Sequence, residues 1–95
     1  METFFMFGKY TSEAVQGISA GRTAKVREVI ERRGGQVKAI YALLGEYDVV
    51  IVAALPRMAD AMKVSVELKA CTGISFFTAA AIAIEEFDSL FGESG

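Results

Sequence analysis

The chain contains no histidine and no tryptophan, a single cysteine and a single proline. Without histidine there is no Ser-His-Asp or Cys-His nucleophile system, no histidine metal site and no histidine-ligated haem. The lone Cys71 cannot close an internal disulfide, and without histidine it cannot build a zinc site. It fits a reducing compartment and reads as a small buried hydrophobe near a helix end, since no base is at hand to activate it. No metal or cofactor is expected. An excess of one charge is missing too: ten basic against twelve acidic side chains leave a net charge of −2, without the basic surplus of a nucleic-acid binder. The longest apolar run, Ile74 to Ile84, is interrupted by Ser75 and Thr78 and is too short to span a bilayer. Met1-Glu2-Thr3 lacks the positive start of a secretory leader. The expected setting is the cytoplasm, with neither nucleic acid nor membrane as partner.

What is present is apolar. The 95 residues are 53% hydrophobic and include seven Phe and three Tyr, enough for one domain with one core. Thr3 to Tyr10 reads as a first strand, apolar on both faces, with Phe5 and Phe7 on one and Phe4, Met6 and Tyr10 on the other. Thr11-Ser12 offers a helix cap before a short turn over Glu13 to Ile18, and Ser19 a second cap. From Arg22 to Arg33 the period is helical: Val26, Val29 and Ile30 turn inward, while Arg22, Lys25, Glu28, Glu31 and Arg32 turn outward. Gly34-Gly35 ends that helix.

Val37 to Leu44 and Val49 to Leu55 form a hairpin with Gly45 at its head. Glycine there suits a two-residue type II′ turn, since it accepts a positive φ. Pro56 stops the second strand. A helix over Arg57 to Thr72 is expected to bury Met58, Ala61, Met62, Ser65 and Leu68 and to wet Asp60, Lys63 and Glu67. After Gly73 a last strand runs from Ile74 to Ile84. A short helix over Glu85 to Phe91 and a loose Gly92–Gly95 tail finish the chain.

The order is βαββαβ, an α+β ferredoxin-like sandwich with two helices on one face of a four-stranded antiparallel sheet. A sheet covered on one face should alternate apolar and polar, yet three of the strands are apolar on both. A second sheet must cover the open face. The economical solution is a two-fold homodimer, or a higher oligomer built from it.

The run Gly34-Gly35-Gln36-Val37-Lys38, followed by Leu44-Gly45-Glu46-Tyr47-Asp48-Val49-Val50, resembles the GYD domain family, named for a Gly-x-Tyr-Asp turn that falls here on Gly45, Tyr47 and Asp48. The likeness extends through Tyr10-Thr11, Gly17-Ile18 and Arg22 to Glu85-Glu86-Phe87, nearly the whole chain. It implies a dimeric α/β barrel and brings no established activity. On the last strand the chain departs from the family. An Arg and a Glu are expected near Ser75 and Phe77, and only Thr78 keeps that polar pattern.

The hairpin is also similar to the effector-binding domain of Lrp/AsnC regulators, which implies a small-molecule ligand near the turn at a subunit interface. Gly45 would allow close approach, Tyr47 would stack and offer a hydroxyl, and Asp48 would accept from an ammonium or from turn amides, with Tyr41 and Tyr10 completing the candidate set. Three functions stand open. One is ligand binding. The second is a cofactor-free enzyme of monooxygenase or isomerase type using Tyr10, Lys38, Tyr41, Tyr47 or Asp48. The third is assembly alone, with Tyr47 packed at a dimer seam and the Phe87-Leu90-Phe91 segment docked on a neighbour.

The basic residues of the first long helix read as a solvated face because Glu28 and Glu31 are interspersed. Arg27→Ala and Arg32→Ala should therefore change unfolding free energy by no more than about 0.5 kcal/mol. Titration with nucleic acid at physiological salt should give no binding signal for either variant or the parent.

Overall fold

Alternation along the first strand decides where the core lies. In the computed structural model, which describes residues 1–92, β1 (Glu2–Lys9) buries Phe4 and Met6 on one face and leaves Phe5 partly exposed on the other. Thr11 then caps α1 (Ser12–Gln16), its Oγ1 accepting from the Ala14 amide at 3.0 Å. Ser19 caps α2 (Ala20–Arg32), accepting from the Arg22 amide at 3.0 Å. Both caps fall where the short polar side chains predict them. Beyond α2 come β2 (Gln36–Ala42), β3 (Val49–Leu55), α3 (Met58–Thr72), β4 (Ser75–Ala81) and α4 (Ile84–Leu90). The four strands form one antiparallel sheet in the order β2-β3-β1-β4, the ferredoxin-like arrangement. The described tail ends at Gly92; the remainder of the expected loose tail, Glu93 to Gly95, lies outside the described residues.

One core joins the sheet to both long helices. Phe4, Met6, Ile51, Ala53 and Leu55 from the sheet are buried against Val26, Val29 and Ile30 of α2 and Ala61, Val64 and Leu68 of α3. Outside the core, Glu67 of α3 accepts from Arg32 and Arg33 at the end of α2, the second pair at 3.4 Å. None of the described helices is long and apolar enough to cross a membrane.

Several elements differ from the sequence expectation, each for a local reason. The buried stripe of α3 is Ala61, Val64 and Leu68, whereas Met58 and Met62 are exposed and Asp60 is buried beside Arg57, Nε to Oδ2 3.4 Å. Small Ala61 and β-branched Val64 let the helix approach the sheet, and that turns the longer methionines to the outside. Cys71 is exposed, and the buried apolar residue beyond the helix end is Ile74, packed with Ala14 and Val49. β4 is shorter than expected at both ends, with Ile84 already the first residue of α4. A bulge separates the pairs Val37↔Ala53 and Ala39↔Val52, so that Lys38 is the extra residue and the alternation of β2 resets there.

Gly35 is the tightest crossing from α2 into the sheet. A Cβ on it would lie 2.5 Å from Leu55 Cδ2 and 2.7 Å from the Ala54 carbonyl oxygen. Gly35→Ala should thus destabilise the fold by roughly 1–3 kcal/mol through overpacking. Urea denaturation should show a lowered midpoint with an unchanged slope.

Candidate functional site

The hairpin between β2 and β3 is built from hydrogen bonds to β1 as well as to itself. The Leu43 amide donates to the Asp48 carbonyl at 2.9 Å, and the Asp48 amide donates to the Gly8 carbonyl at 2.8 Å. Pairing therefore continues past the regular strands, and the loop proper is Leu44 to Tyr47, longer than the two-residue turn expected. Gly45 does hold a positive φ, +156°, but this is far from the roughly +60° of a type II′ turn. A Cβ on it would meet nothing within 4 Å, so the glycine stands at an open loop tip.

Asp48 anchors this loop to a distant part of the chain. Its Oδ2 accepts from the Tyr10 backbone amide at 2.8 Å, where a turn amide was the expected donor. One residue earlier, Lys9 Nζ donates to the Glu46 carbonyl at 2.6 Å. These contacts hold the Gly-x-Tyr-Asp segment against the end of β1, an arrangement that only the tertiary pairing of β1 with β3 makes available.

With the loop so held, Tyr47 lies over the face of the sheet that the helices leave open. Its ring centroid is 5.5 Å from that of Phe7 and 6.4 Å from that of Phe77, and Phe7 stacks in turn on Phe5 at 6.5 Å. The row Phe5-Phe7-Tyr47-Phe77 crosses from β1 to β4, where Phe7 and Phe77 are directly paired. Phe77 is 59% exposed. Ala79 and Ala81 pair with Phe5 and Thr3 on this same face, while Val50 and Val52 continue it on β3. On β1 and β4 this face presents Thr3, Phe5, Phe7, Phe77, Ala79 and Ala81, with Lys9 as the charge at the end of β1. The sequence showed strands apolar on both sides, but not which aromatic residues would stack.

The five candidate residues do not converge. Tyr41, opposite Val50 on β2, is exposed on the open face with Tyr47. Tyr10 is on the other side of the sheet. Its ring packs with the Ala14, Val49 and Ile74 cluster, and the Arg22 guanidinium sits 5.0 Å above it. Arg22, expected to point outward, is half-buried and donates to the Ala14 carbonyl. Its cationic head offsets the burial by that hydrogen bond and by the ring beneath it. Asp48 sits at the join between the two sides. Tyr10 and Tyr47 cannot act on one bound molecule from opposite faces of a single sheet. Thr78, the polar position retained on the last strand, also faces the helices, 3.1 Å from Ser65 Oγ. Among the described residues no group of three or more His, Cys, Asp or Glu comes together to hold a metal.

The fold and the turn together agree with a comparison across known families, in which the GYD domain matches residues 4–91. The chain belongs to the GYD domain family. None of the curated proteins matches this GYD domain. Among solved structures it is similar to the feast or famine regulatory protein of Mycobacterium tuberculosis complexed with L-methionine, with a TM-score of 0.65 at 10% identity over 87% of this chain and 51% of that one. It is also similar to an AsnC family transcriptional regulator from Agrobacterium tumefaciens, with a TM-score of 0.58 at 19% identity over 86% and 50% of the two chains. At such identities the likeness is one of fold. The chain spans about half the length of these structures.

Among the described residues the Tyr47 hydroxyl makes no hydrogen bond, whereas the Asp48 carboxylate satisfies a backbone amide. Asp48→Ala should cost about 1–3 kcal/mol of stability by leaving the Tyr10 amide unpaired, while Tyr47→Phe should stay within about 0.5 kcal/mol. Chemical denaturation of the two variants side by side checks both values.

Proposed function

We propose that this GYD domain acts as a two-fold homodimer pairing its open sheet faces, and that a small molecule with an apolar part binds beside Tyr47 at the interface. The observation that carries this reading is the uncharged aromatic row Phe5-Phe7-Tyr47-Phe77 on a face left bare by the helices. Sheets pack face to face at about 10 Å, a distance that buries such a row from both sides. The rings supply stacking surface for the apolar part of a ligand. Asp48 supplies a charge at its margin: Oδ1 takes no hydrogen bond among the described residues, while Oδ2 is engaged by Tyr10. A free amino acid or related small amine fits that pairing of an apolar wall with a carboxylate. The similar fold of a protein solved with L-methionine supports the same ligand class. Tyr41 extends the face toward β2, Gly45 leaves the loop tip open to close approach, and Tyr10 contributes its backbone amide alone.

Sedimentation at micromolar concentration should give at least a dimer. Phe77→Asp, which places a charge on the bare face without touching the single-chain core, should give a folded monomer. A thermal-shift screen of amino acids and small carboxylates should yield a stabilising ligand for the parent. Tyr47 also offers the ligand its hydroxyl, which makes no hydrogen bond among the described residues, so Tyr47→Phe should weaken that hit with little change in the melting temperature of the free protein. A parent that sediments as a monomer refutes the sheet pairing, and a screen without any shift refutes the ligand site.

A further inference from the structure

The C-terminal helix is the part of the chain that the fold does not use. No residue of α4 is buried. Only Ile82 and Ala83, the latter in an extended conformation, separate β4 from α4; the helix has at most marginal contact with the other elements, its Glu86 lining a hollow with Met1, Glu2 and Thr3. The radius of gyration, 14.6 Å, accordingly exceeds the roughly 12 Å of a compact chain this long. Yet α4 is amphipathic. At 100° per residue, Ile84, Phe87, Leu90 and Phe91 fall on one side, with Glu86 and Asp88 along the two margins of that side. The Phe87 and Phe91 rings meet at a tilt, centroids 5.1 Å apart, and Phe91 is 72% exposed.

A matching surface lies on α3. Met58, Met62 and Val66 recur every four residues along its outer side, and Val66 is 72% exposed. Grooves run along both flanks of this row. Arg33 and Lys63 line one and Lys69 lines the other. The Glu67 carboxylate in the first groove is already paired with Arg32 and Arg33. An acidic-margined apolar helix and a basic-margined apolar row of similar length are thus both left without a partner among the described residues.

We infer that α4 of one copy docks along the outer Met58-Met62-Val66 row of α3 on a second copy, with Glu86 and Asp88 against the basic rims. Helices packed in this way approach to about 8–10 Å. The contact is heterologous, since the surface that docks differs from the surface that receives, and it therefore propagates to a closed ring or a chain of copies. It uses neither the open sheet face nor Tyr47, so that it stands apart from the sheet pairing proposed above and links sheet-paired dimers into a larger assembly.

Cross-linking tests this directly. In a Cys71→Ser background, free of the one native thiol, Val66→Cys protein is mixed with Leu90→Cys protein under mild oxidation. Because each chain carries a single thiol, every product is intermolecular. The expected result is a covalent dimer whose dominant disulfide joins position 66 to position 90, lost when Phe87→Glu is added to the Leu90→Cys chain and retained when Phe77→Asp is added to both. Like-with-like products in equal or greater yield, or no covalent dimer, would overturn the docking. So would a product unaffected by Phe87→Glu. Retention of a sheet-paired dimer in sedimentation, without the 66–90 link, would refute this contact and leave the proposed function standing.

Discussion

The two faces of the sheet are treated unequally, and the rest of the molecule is arranged around that inequality. α2 and α3 cover one face with Val26, Val29, Ile30, Ala61, Val64 and Leu68; of the other described helices, α1 adds Ala14 to the Val49 and Ile74 cluster on that same side and α4 buries none of its residues. Phe5, Phe7 and Phe77 are left on a bare surface where a soluble sheet would ordinarily place polar side chains. Burial of apolar area is non-directional and scales with area. A surface of this kind therefore favours association with whatever matches its shape, and a second copy of the same twisted sheet does so by symmetry.

The Gly-x-Tyr-Asp turn connects the two faces. Asp48 uses one carboxylate oxygen to hold the start of the Tyr10 segment, and its own amide to hold Gly8. Tyr47, next in line, is thereby fixed over Phe7 on the bare face. A charge-assisted hydrogen bond to a backbone amide is shorter and stronger than a neutral one, which suits a residue that must position a neighbouring ring. The turn is a brace between β1 and β3 first, and whatever ligand chemistry it supports is superimposed on that structural task. The same division applies to Arg22, whose guanidinium lies over the Tyr10 ring on the helix-covered side of the sheet.

Membership in the GYD family and the likeness to regulator domains are statements about architecture. One fold hosts many functions, and this chain corresponds to about half of each solved relative. On that architecture the chain carries a row of rings on the sheet, a methionine and valine row on α3, and an amphipathic α4 with no buried residue.

Much of this was legible in the sequence because it depends on local spacing. Apolar runs bounded by turn residues, the Thr11 and Ser19 caps and Pro56 locate the strands and helices, and apolar residues on both sides of the strands announce an uncovered face. Where the sequence misled, two arrangements satisfied the same local rule. α3 is apolar at Met58, Met62 and Val66 and also at Ala61, Val64 and Leu68, both at helical spacing, so its period alone does not say which row is buried. The small residues turned inward because they allow close approach to the sheet, a constraint that exists only once the crossover is made. Likewise the Gly-x-Tyr-Asp letters mark a turn, but the Asp48–Tyr10 hydrogen bond spans 38 residues. That separation, and the placement of Tyr10 and Tyr47 on opposite faces, follow from the pairing of β1 with β3. By itself the sequence determined the elements, their order and the excess of apolar surface. The tertiary structure decided which side of each element meets the core, because that choice is made by packing between segments distant in the chain.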